Sequence, residues 1–247
     1  MIMTRPNTCS AIALFMGGLL FVSCNSPLSD TNVTDSSLIQ PVFVVAKSVD
    51  NNGARSVDYS VDIYDKNANL VTLQNGGVKL NGYQMNIKPD LIGGEFYDLS
   101  GESELRFTAG TTYTFSVTLA DGSQYNGTVQ SQSVDLYEFD VPSAQSRTQD
   151  LIVRWRDTDP SSRMTIELTV YSRTDSSEGN SSTTLDIPNP QAGIFTIPAT
   201  QLSTNQGTTY KADVTLISEK SGSVDPHFMS GSAALSRLTY TRTVALN

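Results

Sequence analysis

Short runs of alternating apolar and polar residues dominate this chain from residue 42 onward. Clear examples are residues 57–64, 113–119 and 164–171, each with apolar side chains at every second position. Because successive side chains of a β-strand point to opposite faces, this period of two predicts strands with one buried face. Turn-forming residues separate the runs, and Asp121-Gly122 is a strong signal for a two-residue hairpin. The sequence therefore predicts an all-β chain.

Self-comparison divides the chain into two related parts. The sequence Gly-Thr-Thr-Tyr occurs at residues 110–113 and again at 207–210, and an alternating run ending in Val-Thr-Leu follows each copy. Upstream, two further pairs of segments align, namely 57–64 with 164–171 and 44–50 with 151–157. We therefore predict two β-domains, at residues 41–133 and 134–247.

The second copy carries the motifs of a known fold. Residues 151–155 form a candidate B strand ending in Trp155, and residues 202–210 resemble the Leu-x-Pro-Gly-Thr-x-Tyr corner of fibronectin type III and related immunoglobulin-like domains, with Gln206 in place of Pro. This resemblance implies two tandem immunoglobulin-like β-sandwiches. It also implies that Trp155 lies in a core and that Tyr113 and Tyr210 pin the crossover between strands E and F. Domains of this fold serve many functions, so the fold alone does not give one.

The N-terminus resembles that of bacterial lipoproteins. Arg5 precedes an apolar run at residues 11–22, and Phe-Val-Ser-Cys ending at Cys24 is similar to the lipobox. The run is too short to span a membrane. The resemblance implies a signal peptide at residues 1–23, an acylated Cys24 and a place in the cell envelope, and Asn25 fits sorting to the outer membrane. Since Phe21 stands where the family usually has Leu, ordinary cleavage without lipid is the alternative.

Residues 24–40 are rich in Ser, Thr, Asn and Asp and are predicted to be a flexible tether.

Charge and cysteine content narrow the possible functions. The formal net charge is −9, which disfavours nucleic acids and anionic lipid surfaces as partners. Cys9 and Cys24 are the two cysteines. Once the first is cleaved off and the second acylated, no thiol is left for a disulfide, a thiolate nucleophile or a cysteine metal site. No cofactor is predicted.

Residues suited to catalysis are few. His227 is the single histidine, and no motif for a nucleophile, a zinc site or a phosphate loop accompanies it. A glycosidase needs two carboxylates that face one cleft, for which Glu95, Asp98, Glu102 and Glu104 are candidates. An acidic solvated loop explains these four residues as well. We therefore predict that the protein is not an enzyme.

Two acidic segments have part of the spacing of a calcium loop. They are Asp65-x-Asn67-x-Asn69 and Asp157-x-Asp159, and both lack the glycine and the distal glutamate of the complete pattern. Asp and Asn are also ordinary turn formers. We predict no metal site from these residues.

Phe96 and Tyr97, in a glycine-flanked loop, are the best candidates for an exposed aromatic binding platform, with Tyr83 and Tyr137 as further possibilities. The alternative is that one ring packs inward.

Taken with the preceding points, the predicted function is a non-catalytic envelope lipoprotein that acts as an interaction or spacer module. It would be bound to a membrane through Cys24 and could contact an envelope protein. The alternative is glycan binding through Phe96 and Tyr97.

Overall fold

The structure is a computed structural model that describes residues 26–89, 94–99, 105–134, 138–174, 177–204 and 207–247. These residues form seventeen strands: β1 (Gln40–Val49), β2 (Arg55–Tyr64), β3 (Gly77–Leu80), β4 (Tyr83–Gln84), β5 (Asn86–Pro89), β6 (Glu95–Asp98), β7 (Thr112–Thr118), β8 (Gln124–Gln130), β9 (Phe139–Asp140), β10 (Ala144–Gln145), β11 (Leu151–Trp155), β12 (Arg163–Arg173), β13 (Glu178–Asp186), β14 (Ile194–Ile197), β15 (Thr208–Ser221), β16 (Ser223–Val224) and β17 (Ala233–Leu246). Short 3₁₀ helices lie at Pro27–Asp30, Ser36–Leu38, Pro190–Ala192 and Ala199–Leu202. The all-β prediction is confirmed.

The first half of the chain is a sandwich of two sheets. One sheet has the strand order β1-β2-β6-β5, and the facing sheet has the order β8-β7-β3-β4. Aromatic rings meet across the core: the Phe43 and Phe115 centroids are 4.9 Å apart, and those of Tyr59 and Tyr113 are 5.9 Å apart. In the letters used for immunoglobulin-like domains, this is A-B-E-D facing G-F-C-C′.

The second half is also a sandwich, in which the sheet β14-β11-β9 faces β13-β12-β15-β17. Trp155 ends β11 and is 3% exposed. Its Nε1 donates a hydrogen bond to the Pro190 carbonyl oxygen at 2.8 Å, which satisfies the polar atom of the buried ring. The prediction that Trp155 is a core residue is confirmed.

The two sandwiches share one sheet. β1 of the first half pairs in parallel with β17 of the second half over eight residue pairs, from Val42↔Ala233 to Val49↔Tyr240. This pairing merges the two sheets into a nine-stranded sheet, to which β10 is also attached through β17. One hydrophobic cluster runs through both halves. The halves are therefore joined by backbone hydrogen bonds as well as by the linker.

The hairpin formed by β15, β16 and β17 reaches from the second half over the first. β16 pairs with the edge strand β8, through Ser223↔Thr128 and Val224↔Gly127. At the hairpin tip, Phe228 is buried, and its ring centroid lies 6.2 Å from that of Phe43 in the first core. The hairpin thus covers the A and G edges of the first sandwich and fills part of its core.

The linker between the halves is also fixed. Gln132 is fully buried and donates from Nε2 to the carbonyl oxygens of Ser218 and Ser236, at 3.0 and 2.8 Å. Its Oε1 accepts a hydrogen bond from the Ser236 hydroxyl at 2.9 Å. Since Ser218 and Ser236 lie on β15 and β17, these bonds attach the end of the first half to the long hairpin of the second.

The self-comparison of the sequence aligned β1 and β2 of the first half with the wrong strands of the second half, displaced by one strand in the order of the fold. Residues 44–50 aligned with residues 151–157, yet β1 and β2 are neighbours in one sheet, whereas β11 and β12 lie in opposite sheets. β1 is therefore the A strand of its sandwich, and β11 is the B strand. The alternation of side chains marks a strand but does not say which sheet it joins, so two such patterns can align without being equivalent.

The predicted tyrosine corner exists in the first half. The Tyr113 hydroxyl donates to the Arg106 carbonyl oxygen at 3.0 Å and accepts from the Thr108 N–H at 2.9 Å. In the second half the prediction is wrong, because the β12–β15 register shifts between the pairs Tyr171↔Lys211 and Ser172↔Thr209 and leaves Tyr210 without an opposite residue. This bulge turns the Tyr210 ring outward, under the Arg173 guanidinium at 4.9 Å from its centroid.

Residues 26–39, predicted to be a flexible tether, instead pack against the first sandwich. Val33 and Ile39 are buried, and Ser26 is 2% exposed. The segment is polar overall, but its few apolar residues meet the end of the core and its serines find backbone partners. Composition alone does not detect such contacts, because a polar chain stays ordered wherever its hydrogen bonds are satisfied.

Candidate interaction surfaces

The predicted acylation site, Cys24, and the signal peptide at residues 1–23 lie outside the described residues. Within the described part of the chain, no helix is both long enough and apolar enough to cross a membrane.

The aromatic pair Phe96–Tyr97 does not form a platform. Both residues lie in β6, where Tyr97 points into the core and is 3% exposed, while Phe96 is half-buried on the outer face of the sheet opposite Lys88. The Tyr97 hydroxyl accepts a hydrogen bond from the Leu73 N–H at 2.8 Å, and burial raises its pKa to about 12. Adjacent positions of a strand face opposite ways, so these two rings cannot share a surface. Tyr83 is exposed on β4, and Tyr137 lies outside the described residues.

Of the four candidate carboxylates, the two that the structure describes, Glu95 and Asp98, lie on opposite faces of β6. Glu95 accepts a hydrogen bond from the Thr72 hydroxyl at 2.8 Å, whereas Asp98 is buried on the other face of β6 and forms an ion pair with Lys88. Glu102 and Glu104 lie outside the described residues. His227 is exposed at the tip of the long hairpin, where its Nδ1 lies 2.7 Å from Asp225 Oδ1. The partner of the His227 imidazole is therefore a carboxylate two residues away in the same turn.

The first calcium-like segment is a turn closed by its aspartate. Asp65 is buried and accepts hydrogen bonds from the Asn67 and Asn69 N–H groups, at 2.8 and 3.0 Å, and from the Ser26 hydroxyl at 2.6 Å. Partial burial raises the pKa of Asp65, but these hydrogen bonds outweigh burial and hold the pKa below its ordinary value. Its carboxylate oxygens are occupied by donors, as expected for an Asx turn.

The second segment belongs to the joint between the sandwiches. Asp159 is 3% exposed, and its carboxylate accepts from the N–H groups of Ser161 and Ser133, at 2.9 and 2.8 Å, and from Lys220 Nζ at 3.3 Å. Burial raises the pKa of Asp159, but the bonds from Ser161 and Ser133 and the Lys220 charge outweigh it and lower the pKa well below its usual range. Among the described residues, no group of three or more His, Cys, Asp or Glu could hold a metal ion.

The outer face of the shared sheet carries a row of alternating charges that the sequence did not reveal. Asp186, Arg163, Glu219 and Arg237 lie on β13, β12, β15 and β17 in that order. Arg163 contacts Asp186 at 2.5 Å and stands opposite Glu219, which Arg237 contacts at 2.6 Å. The row borders a shallow groove of about 370 Å³, whose other lining residues are Thr165, Glu167, Thr184 and Ile217.

This face was missed because it depends on pairing between strands. The sequence does show that most residues of this face are polar and lie in strand-like segments, with Ile217 as an exception. However, only the register of β12, β15 and β17 brings residues that are far apart in the chain into one row. The charges are paired with each other, so the face is ordered and presents both signs.

The class of protein follows from this geometry: the chain is an all-β protein of two immunoglobulin-like β-sandwiches that share a sheet. No known family matches the sequence, and no curated protein is detectably similar to it. Among solved structures, the chain is similar to the FN1–FN3 domains of chicken CNTN1, with 13% identity, over 84% of this chain and 68% of that one, at a TM-score of 0.25. So low a TM-score supports no argument, and the fold assignment depends on strand order, Trp155 and Tyr113.

Proposed function

We propose that this protein is a lipid-anchored, non-catalytic module of the cell envelope, which holds a protein-binding face at a fixed position relative to the membrane. The observation that carries this proposal is the shared nine-stranded sheet. Tandem domains joined only by a linker move relative to each other, whereas a continuous hydrogen-bonded sheet resists bending between them. A rigid body of this kind suits a spacer or a scaffold.

The outer face of the shared sheet is the proposed partner site. Its charge row and groove lie on the outer face of the second sandwich, where Arg163 and Asp186 are exposed and Arg237 and Glu219 are partly exposed. Paired charges of both signs favour a protein surface with a complementary pattern over a polyanion. The alternative of glycan binding loses its basis, because it required two exposed rings and Tyr97 is buried.

Two measurements test this proposal. Mass spectrometry of the mature N-terminus should find acyl chains on Cys24, and Cys24→Ala should abolish membrane association; an unmodified N-terminus refutes the anchor.

A photo-crosslinking side chain at Thr165, in the groove, should capture an envelope protein in cells. The same side chain at the exposed Gln149, outside the groove, is the control. Equal capture at both positions, or none at Thr165, refutes the proposed face.

A further inference from the structure

The segment that follows the predicted anchor is fixed to the first sandwich from its first described residue. The Ser26 N–H donates to the Leu70 carbonyl oxygen at 2.7 Å, and its hydroxyl donates to Asp65 Oδ2 at 2.6 Å. Three residues later, the buried Ser29 accepts a hydrogen bond from the Thr72 N–H at 2.9 Å. The chain is therefore held to the loop between β2 and β3 as soon as it enters the described structure.

The rest of the segment crosses the same end of the sandwich. The Val33 carbonyl oxygen accepts from the Ala120 N–H at 2.9 Å, beside the β7–β8 turn. The Ser36 hydroxyl donates to the His227 carbonyl oxygen at 3.1 Å, and the Ile39 carbonyl oxygen accepts from the Met229 N–H at 3.0 Å, both at the tip of the long hairpin. We call this surface the end cap: residues 26–39 with the loops 65–76, 119–123 and 225–232.

The end cap and the far end of the second sandwich lie at opposite ends of β17. β1 and β17 both begin at this end and run in parallel away from it, and β17 continues into the second half. With fourteen residues in β17 and a rise of about 3.3 Å per residue, the far end of that strand is about 45 Å from the end cap. Near that far end, the Arg147 N–H donates to the Asn247 carbonyl oxygen at 3.2 Å.

We propose that the end cap lies directly against the phospholipid headgroups, with the first sandwich next to the membrane and the second projecting away from it. This inference depends on the proposed acyl anchor at Cys24. One residue, Asn25, separates Cys24 from Ser26, and two residue steps of fully extended chain span about 7 Å at most. An acyl chain inserted in the bilayer therefore leaves no room for a flexible spacer between membrane and protein.

The charges of the end cap favour a zwitterionic headgroup layer over an anionic one. Its described charged side chains outside the core include Asp35, Lys66, Asp121 and Asp225, three acids and one base. Leu38 is 46% exposed on this surface, and it can enter the interfacial region at little cost. Attraction thus comes from the acyl group and Leu38, and it does not depend on a basic patch.

The test uses the full lipidated protein in phosphatidylcholine vesicles that carry a nitroxide quencher on part of their headgroups. A fluorophore is attached in turn to Asn67→Cys, in the end cap, and to Gln149→Cys, near the far end; both native side chains are exposed. Collisional quenching needs close contact, so the Asn67 position should lose most of its fluorescence, whereas the Gln149 position should match quencher-free vesicles. Equal quenching at both positions, or at neither, overturns the inference.

A Gly/Ser spacer of about ten residues inserted between Asn25 and Ser26 supplies the matched control, because it restores a flexible tether without changing the folded part. Quenching at the Asn67 position should then fall sharply, and unchanged quenching would contradict the inference. Mass spectrometry of the same samples separates the two proposals. A protein without acyl chains refutes the anchor and this arrangement together, whereas an acylated protein that remains unquenched at Asn67 refutes the arrangement alone.

Discussion

The coupling between the sandwiches can be tested at Gly222, where the backbone of the long hairpin lies against the backbone of β8. The Gly222 N–H donates to the Ala234 carbonyl oxygen at 2.7 Å, and the next two residues pair with β8. A Cβ added at Gly222 would lie 2.7 Å from the Val129 Cα and 2.8 Å from the Thr128 carbonyl carbon, and closer still to the Thr128 oxygen. These are backbone atoms, so no side chain can rotate away. Gly222→Ala must therefore push the hairpin off β8.

The expected cost combines two effects. Overpacking against a backbone that cannot relax costs about 1–3 kcal/mol. Weakening the two β16–β8 residue pairs removes hydrogen bonds worth about 1 kcal/mol each. We expect Gly222→Ala to lower the free energy of unfolding by about 2–4 kcal/mol, a large part of the total stability of a typical domain.

Urea denaturation followed by two probes measures this effect. Trp155, the single tryptophan, reports on the second sandwich through its fluorescence, and far-ultraviolet circular dichroism reports on both. The native protein should unfold in one transition with coincident probes, and Gly222→Ala should shift the midpoint or separate the probes. The control is Gly179→Ala, where the nearest atom to an added Cβ is the Ser172 hydroxyl oxygen at 3.9 Å. A Gly222→Ala protein as stable as this control would refute the proposed close contact.

Three further predictions concern the core, the corner and the joint. Phe228→Ala should destabilise the protein by about 3–5 kcal/mol in urea, because it removes a buried ring that contacts the first core; a loss below that of truncating the exposed Ile87 would contradict this. Tyr113→Phe should cost about 1–2 kcal/mol in the same assay, through two lost hydrogen bonds, while Tyr83→Phe on the surface should be neutral. Because the pKa of Asp159 is lowered by folding, its stabilisation is fully present above the ordinary aspartate pKa of about 3.9 and is lost as the pH falls. Asp159→Asn should therefore lower the free energy of unfolding at pH 7 and make that free energy depend less on pH in acid. An unchanged dependence on pH would refute the stabilising role of the Asp159 carboxylate.

Several features were predictable because they depend on local rules. The alternating runs became β2, β7 and β12, since a period of two fits only a half-buried strand. The Asp121-Gly122 signal became the β7–β8 hairpin, with Gly122 at φ +86°, a conformation that favours glycine. Lys47 is an exception to these rules. It occupies an inward-facing position of β1, where alternation predicts an apolar residue, and its ammonium lies 5.5 Å from the centroid of the Phe107 ring.

The candidate sites were less predictable, because each depends on the direction of a side chain or on which other segment of the chain contacts it. Phe96 and Tyr97 looked like one aromatic loop, yet they lie on opposite faces of β6. The spacing of Asp65 suggested oxygen ligands for a metal, yet its carboxylate accepts hydrogen bonds from the N–H groups of its own turn and from the Ser26 hydroxyl. Spacing alone shows neither outcome: the first requires knowing that residues 95–98 form a strand, and the second requires the position of Ser26.

By itself, then, the sequence determined the all-β class, several of the strands and hairpin turns, and the burial of Trp155 and Tyr113. These are properties of neighbouring residues and of the chemistry of single side chains. Only the tertiary structure decided that β1 and β17 pair in parallel, that Phe228 enters the first core and that residues 26–39 form an end cap. The physical reason is that an edge strand presents the same unpaired N–H and C=O groups to any partner, so its neighbour is selected by the packing of the whole chain.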